Sequence, residues 1–241
     1  MTKIASSGPR PALPSGHQGK PRAPLPGNAW PRLRQRLGLQ WRLKLGLLLG
    51  FAAAFFPAYL LILKHPVLPV AVMPLTAVDR AVGFAPGALL LYVSLWLYVP
   101  LAPGLLAERR QIVLHYRVMA GLALVGLGIF LFRPTAVPPP EVDWTAWPAF
   151  AFLKSADGTG NACPSLHAAF AVFSACWIQR LARGLGARGG ISLLNAAWCG
   201  GILYSTLATK QHVALDVLAG AGLGAAAVLV HFRMARRATA S

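Results

Sequence analysis

Apolar residues run along this chain in long stretches, without the strict alternation of strands or the narrow stripe of a soluble helix. Crossing the hydrocarbon core takes about 20 mainly apolar residues in helical form. Six stretches meet that requirement: 43–63, 84–106, 112–132, 164–182, 191–209 and 212–234. A tight turn at 209–211 is all that separates the last two. The pattern predicts an all-α polytopic membrane protein, a six-transmembrane-helix bundle over residues 43–234. Between the first two stretches, residues 64–83 are apolar but carry Pro66, Pro69 and Pro74. Proline removes a backbone donor and restrains the residue before it, so an exposed loop or interfacial segment is expected there.

Composition supports the membrane assignment. Of 241 residues 56% are hydrophobic and the mean hydropathy is +0.56, too apolar for the surface of a soluble globule of this size. The net charge of +17 is unevenly placed: nine of the 23 basic residues precede Gly46, where no acid lies. With six crossings both termini share a side, and basic residues near span ends mark the cytoplasm. One set of ends carries the N-terminal segment, Arg109, Arg110, Arg180, Arg183, Arg188, Arg233, Arg236 and Arg237. The other carries Lys64, Arg80, Arg133, Lys154 and Lys210 with four of the six acids. Cytoplasmic termini are therefore expected, with loops 64–83, 133–163 and 209–211 facing the periplasm or exterior of a membrane of the bacterial inner type.

Residues 1–42 hold seven prolines and are expected to be a disordered basic tail against anionic lipid head groups. Residues 235–241 read as a short basic cytoplasmic tail. No aromatic interleaving accompanies the charge, so no nucleic-acid partner is expected. The N-terminus lacks the pattern of a cleavable signal peptide. Cys163, Cys176 and Cys199 have no zinc-ligand spacing and read as packing residues.

Only one of the six acids, Asp216, falls inside a span. An ionisable group in hydrocarbon costs at least about 2.5 kcal/mol, so a partner and a role are expected. His212 stands four residues earlier, on the same helix face. A carboxylate on one ring nitrogen fixes the tautomer and leaves the other nitrogen free as nucleophile or base. A buried pair that merely satisfies itself is the alternative. The second stretch, Pro164-Ser165-Leu166-His167, opens the fourth span. Proline suits a helix start, serine can cap it, and the first-turn amides form an anion site. The chain crosses once after His167 and returns before His212, so the two histidines belong to one membrane face, which Arg133-Pro134 also reaches. Two histidines, a carboxylate, Arg133, Lys210 and Ser165 together suit phosphoryl transfer.

These stretches resemble the signatures of the type 2 phosphatidic acid phosphatase superfamily, which includes lipid phosphatases, lipid phosphotransferases and vanadium haloperoxidases. The family pattern is K-x6-R-P, then P-S-G-H, then S-R-x5-H-x3-D. Arg133-Pro134 keeps the end of the first signature, and Ser205-Thr206, His212 and Asp216 keep the third spacing. Gly126 stands in place of the signature lysine, Leu166 of the glycine and Thr206 of the arginine. Pro-Ser-Leu-His, with Thr209-Lys210-Gln211-His212, is similar to the branch containing inositol phosphorylceramide synthases. In that branch phosphate passes to an alcohol. The resemblance covers roughly residues 110–230.

The resemblance implies catalysis by His212, His167 and Asp216, with substrate phosphate held by Arg133, Ser165 and Lys210. His212 would attack phosphorus to form a phosphohistidine, and His167 would protonate the leaving oxygen. No metal or other cofactor is implied, and the expected partners are a lipid phosphate and the bilayer. A lipid phosphatase and a lipid phosphotransferase both remain open, as does a transporter or scaffold that kept the fold. Pro14-Ser15-Gly16-His17 also spells the second signature, but no helical stretch follows it. His65, His115 and His231 lack an acid at helical spacing and read as interface or loop residues. Arg117 is expected to snorkel to the head groups. Trp144 and Trp147 read as aromatic belt anchors, or as a lid over a lipid substrate.

Overall fold

A computed structural model describes residues 29–150, 160–186 and 189–240, and nearly all of its regular structure is helical. The first span is α2 (Trp41–Lys64), preceded by a short helix, α1 (Ala29–Gly38). The second span is composite: a 3-10 turn at Pro86–Ala88, then α4 (Leu89–Val93) and α5 (Leu95–Leu105), joined at Ser94. Ser94 Oγ donates to Leu91 O at 2.6 Å and accepts from Trp198 Nε1 at 2.9 Å, so the joint is pinned across the bundle. The remaining long helices are α6 (Arg109–Phe132), α7 (Leu166–Gly184), α8 (Gly189–Ala208) and α9 (Ala214–Ala240).

Among the described residues five of these units are long and apolar enough to cross a bilayer: Trp41–Lys64, Pro86–Leu105, Arg109–Phe132, Gly189–Ala208 and Ala214–Ala235. The sixth expected stretch folds as α7. Its position explains its more polar sequence, because α5, α6, α8 and α9 all pack around it. Shielded from lipid, α7 can carry His167, Ser174 and Gln179, the last donating to Ser192 Oγ at 2.7 Å. The outermost span, α2, turns Leu45, Leu49 and Leu61 outward as a lipid-facing surface.

The α7–α9 contact is the closest in the bundle, and small residues permit it. A Cβ on Gly220 would lie 2.1 Å from Ser165 O, and one on Gly224 would lie 2.4 Å from Ala169 O. One helical turn apart, these glycines let the first turn of α7 rest on the backbone of α9. Where side chains would otherwise separate two helices by 8–10 Å, backbone meets backbone here.

Several expectations need correction. Within the segment expected to be a disordered tail, residues 29–38 form α1 and α2 begins at Trp41. Lys44 supplies the reason: its buried ammonium donates to Arg36 O at 2.6 Å and to Gly104 O at 2.7 Å. It thereby satisfies terminal carbonyls of both α1 and α5. Residues 1–28, including Pro14-Ser15-Gly16-His17, lie outside the described residues. Helix α9 itself continues to Ala240, which leaves the reading of 235–241 as a short basic tail unchanged. His115 and His231 are not at an interface or in a loop; both are fully buried, 0% exposed, between α6, α7 and α9. His65 caps the end of α2 and is exposed, as expected. All three cysteines are free thiols.

Loop 64–83 is largely exposed yet ordered. Its strand β1 (Ala71–Val72) pairs in parallel with β2 (Thr135–Ala136), which directly follows Arg133-Pro134. It also carries a one-turn helix, α3 (Ala77–Ala81), closed by a capping box between Thr76 and Asp79. These small elements gather three loops at the histidine end of the bundle.

Candidate active site

Helix α7 begins as its sequence suggests. Ser165 is the N-cap, and its Oγ accepts from the Ala168 amide at 3.2 Å. The segment before it is held to β2: Ala162 N donates to Thr135 O at 3.0 Å, and Cys163 N to Thr135 Oγ1 at 2.8 Å. Arg133 is exposed at the C-cap of α6, two residues before Thr135, so the first and second sequence stretches arrive at one place.

The third stretch arrives through a turn. Gln211 N and His212 N both donate to Thr206 O at 3.1 Å, and Lys210 adopts a left-handed conformation with φ 57°. Helix α9 starts at Ala214, so His212 and Asp216 do not share one continuous helix face. His212 sits just outside the helix mouth and folds back on Asp216 in the first turn. Its Nδ1 lies 3.2 Å from Asp216 Oδ2. A carboxylate can only accept, which places the proton on Nδ1 and leaves the Nε2 lone pair available.

Ser165 N donates to Asp216 O at 2.9 Å, which couples the two helix starts directly. The rings of His167 and His212 then lie 5.5 Å apart. Ser165 and Asp216 are fully buried, and His212 is buried. Asp216 Oδ1 and His167 Nε2 are buried with no hydrogen-bond partner among the described residues. The structure thus brings His167, His212, Asp216 and Ser165 together, with Arg133 at the rim.

Lys210 is placed differently from a freely reaching cation. Its Nζ donates to Val82 O at 2.5 Å and approaches Asp79 O at 3.5 Å. Two of its three donors are directed to loop carbonyls, so it fastens the turn that carries His212. A cavity of about 330 Å³ opens beside this turn, lined among others by Tyr59, Thr135, Trp144, Asn161, Lys210 and Gln211. Trp144 and Trp147 pack edge-on against Phe84, with ring centroids 5.5 and 5.9 Å away.

Three contributors escaped the sequence. Asp79 Oδ1 accepts from Ala214 N at 2.7 Å and so caps α9 from a loop 135 residues away. Burial pushes the Asp79 carboxyl up, but hydrogen bonds from Thr76 and Ala214 outweigh it and hold it below its ordinary range. Tyr92 of α4 stacks on His167 at 4.5 Å with 26° between the planes. Gly126 and Leu166 form the third: a Cβ at Gly126 would lie 2.5 Å from Leu166 Cδ2. Two of the three departures from the family signatures therefore touch. Leucine fills the space that any larger residue at 126 would need. Only the acid of Asp79 carried a local signal, a Thr-x-x-Asp capping box.

With this geometry in hand, the comparisons with known proteins fit it. The family model of the PAP2 superfamily matches residues 112–240, more than half of the chain, from the first turn of α6 through the helices that carry the histidine site. No curated protein matches, and no solved structure does. The chain belongs to the PAP2 superfamily, a superfamily of phosphatases and related phosphotransferases, and is an integral membrane protein.

Proposed function

We propose that this protein is a lipid phosphate phosphatase working through a phosphohistidine on the periplasmic or exterior side of the membrane. The observation that carries the reading is the chain of contacts from Asp216 through His212 to His167. His212 Nε2 attacks phosphorus in line, the N–P bond forms, and the bond to the leaving oxygen breaks. Protonated His167 delivers its proton to that oxygen. A water then attacks phosphorus, gives its proton to His167, and the N–P bond breaks to release phosphate. The α7 amides that follow the Ser165 cap and the Arg133 guanidinium offset charge on the non-reacting oxygens. Lys210 has one donor left for a substrate oxygen after bonding Val82 and Asp79.

A second reading, phosphotransfer to an alcohol in the manner of the inositol phosphorylceramide synthases, is favoured by the cavity beside Lys210 and Gln211. Its volume of about 330 Å³ has room for an acceptor in place of water. Incubating the purified protein with labelled lipid phosphates, with and without inositol or other alcohols, separates the two. Released phosphate that vanadate suppresses supports the phosphatase; a new phosphorylated alcohol supports the transferase. The absence of either product with every lipid, and the same outcome for His212→Ala, rejects both in favour of a transporter or scaffold.

A further inference from the structure

The end of the bundle opposite the histidines carries a second ligand-shaped feature. Helix α6 is 24 residues long, so its first residue, Arg109, stands about 36 Å from the Arg133 end. Arg109, Val113 and Arg117 follow each other at one-turn spacing, with Arg110 and Leu114 beside them. Together with Met234 of α9 they line a crevice of about 510 Å³. Arg109 and Arg117 contribute cations to this lining, and no acid is among the lining residues. The neighbouring acid, Glu108, accepts from Gln111 Nε2 at 2.9 Å.

Arg117 makes the crevice unusual. It is exposed eight residues into the helix, about 12 Å from Arg109 along the axis. Arginine cannot shed its charge, so a guanidinium exposed two turns into a membrane-spanning helix pairs favourably with an anion that also resides at the membrane. A phosphodiester offers two non-ester oxygens that match the guanidinium fork. Val113, Leu114 and Met234 offer apolar surface where a soluble anion has nothing to place and a glycerophospholipid has its glycerol and upper acyl carbons.

We infer that the α6–α9 crevice binds an anionic glycerophospholipid, head-group phosphate on Arg109 and Arg117 and acyl chains along Val113, Leu114 and Met234. Two cations exceed one phosphate charge, so a lipid with net negative charge is selected over a zwitterionic one. The site is separate from the histidines, and the inference stands whether or not the proposed catalysis does.

Native mass spectrometry of the full-length protein in nonionic detergent tests it, with phosphatidylglycerol and phosphatidylcholine of identical chains as probes. Phosphatidylglycerol is expected to be retained at least about tenfold better, and excess inorganic phosphate is expected not to displace it. A double Arg109→Gln, Arg117→Gln variant is expected to bring its retention down to that of phosphatidylcholine. Arg117→Gln alone is expected to lower it several-fold and serves as the deciding variant if the double one does not fold. Equal retention of the two lipids, displacement by inorganic phosphate, or variants that retain phosphatidylglycerol like the parent would each overturn the inference.

Discussion

Two pairs of histidines stand at opposite ends of the same bundle, and they look alike until their neighbours are compared. His167 and His212 have ring centroids 5.5 Å apart, and His115 and His231 have theirs 6.2 Å apart. The first pair meets where two helices begin, with Asp216 at 3.2 Å and Ser165 bonded to Asp216 O. The second pair lies within helices, among Phe173 at 4.9 Å from His115 and Trp177 at 4.3 Å from His231. None of its four ring nitrogens has a hydrogen-bond partner among the described residues. Burial of a histidine therefore says little about chemistry. What separates the pairs is a carboxylate to orient one ring and helix starts whose amides face a common space.

The largest test of that contrast is His212→Ala, expected to abolish turnover while the protein stays folded; a phosphate-release assay retaining more than a few per cent of parent activity would remove His212 as nucleophile. Next comes Asp216→Asn, which keeps the shape but can leave the ring in the wrong tautomer, with a loss of about a hundredfold or more in kcat. The seam that joins the two helix starts is tested by Gly220→Ala, which drives a methyl group into Ser165 O. It is expected to destabilise by about 1–3 kcal/mol in a thermal unfolding assay. Gly126→Ala meets the movable end of a leucine side chain and is expected to cost less, with Leu166→Ala in the same chain recovering most of that loss; additive losses would show that the two residues do not share one space.

A smaller effect is expected at Asp79. Its carboxyl is held below its ordinary value in the fold, so the stability it contributes is complete above the unfolded value near 4 and is lost as pH falls through the lower folded value. Asp79→Asn is expected to lower stability by about 1 kcal/mol at neutral pH, and to flatten the acid-side decline in a melting-temperature profile. The smallest effect belongs to the other histidine pair. His115→Leu replaces an unpartnered imidazole by an apolar side chain of similar bulk, so activity and melting temperature are expected to stay level or rise slightly.

The sequence exposed features governed by periodicity and parity. Apolar length located the spans, the Pro164-Ser165 start of α7 was readable from its capping chemistry, and counting crossings placed His167 with His212. Contacts between distant elements left no local trace. Nothing near Tyr92 announces that it stacks on His167, and nothing near Gly126 announces Leu166, since each is an ordinary residue in an apolar run. The expectation that His212 and Asp216 share a helix face went astray because periodicity does not mark a helix start that is capped from elsewhere, here by Asp79. Helix α1 was missed for a similar reason: seven prolines in residues 1–42 outweighed a stabilising contact supplied by Lys44.

The glycine seam has a further consequence. Because Gly220 and Gly224 set α7 backbone against α9 backbone at the histidine end, the separation of the two imidazoles is governed by main-chain geometry, and no long side chain separates the helices at these two positions to act as a spring. Bilayers differ in thickness, and helices answer by tilting. The helix most open to that demand is α2 on the lipid-facing rim, whereas α7 sits at the centre of the bundle and is locked to α9. The histidine site is thereby insulated from the mechanics of the membrane that surrounds it.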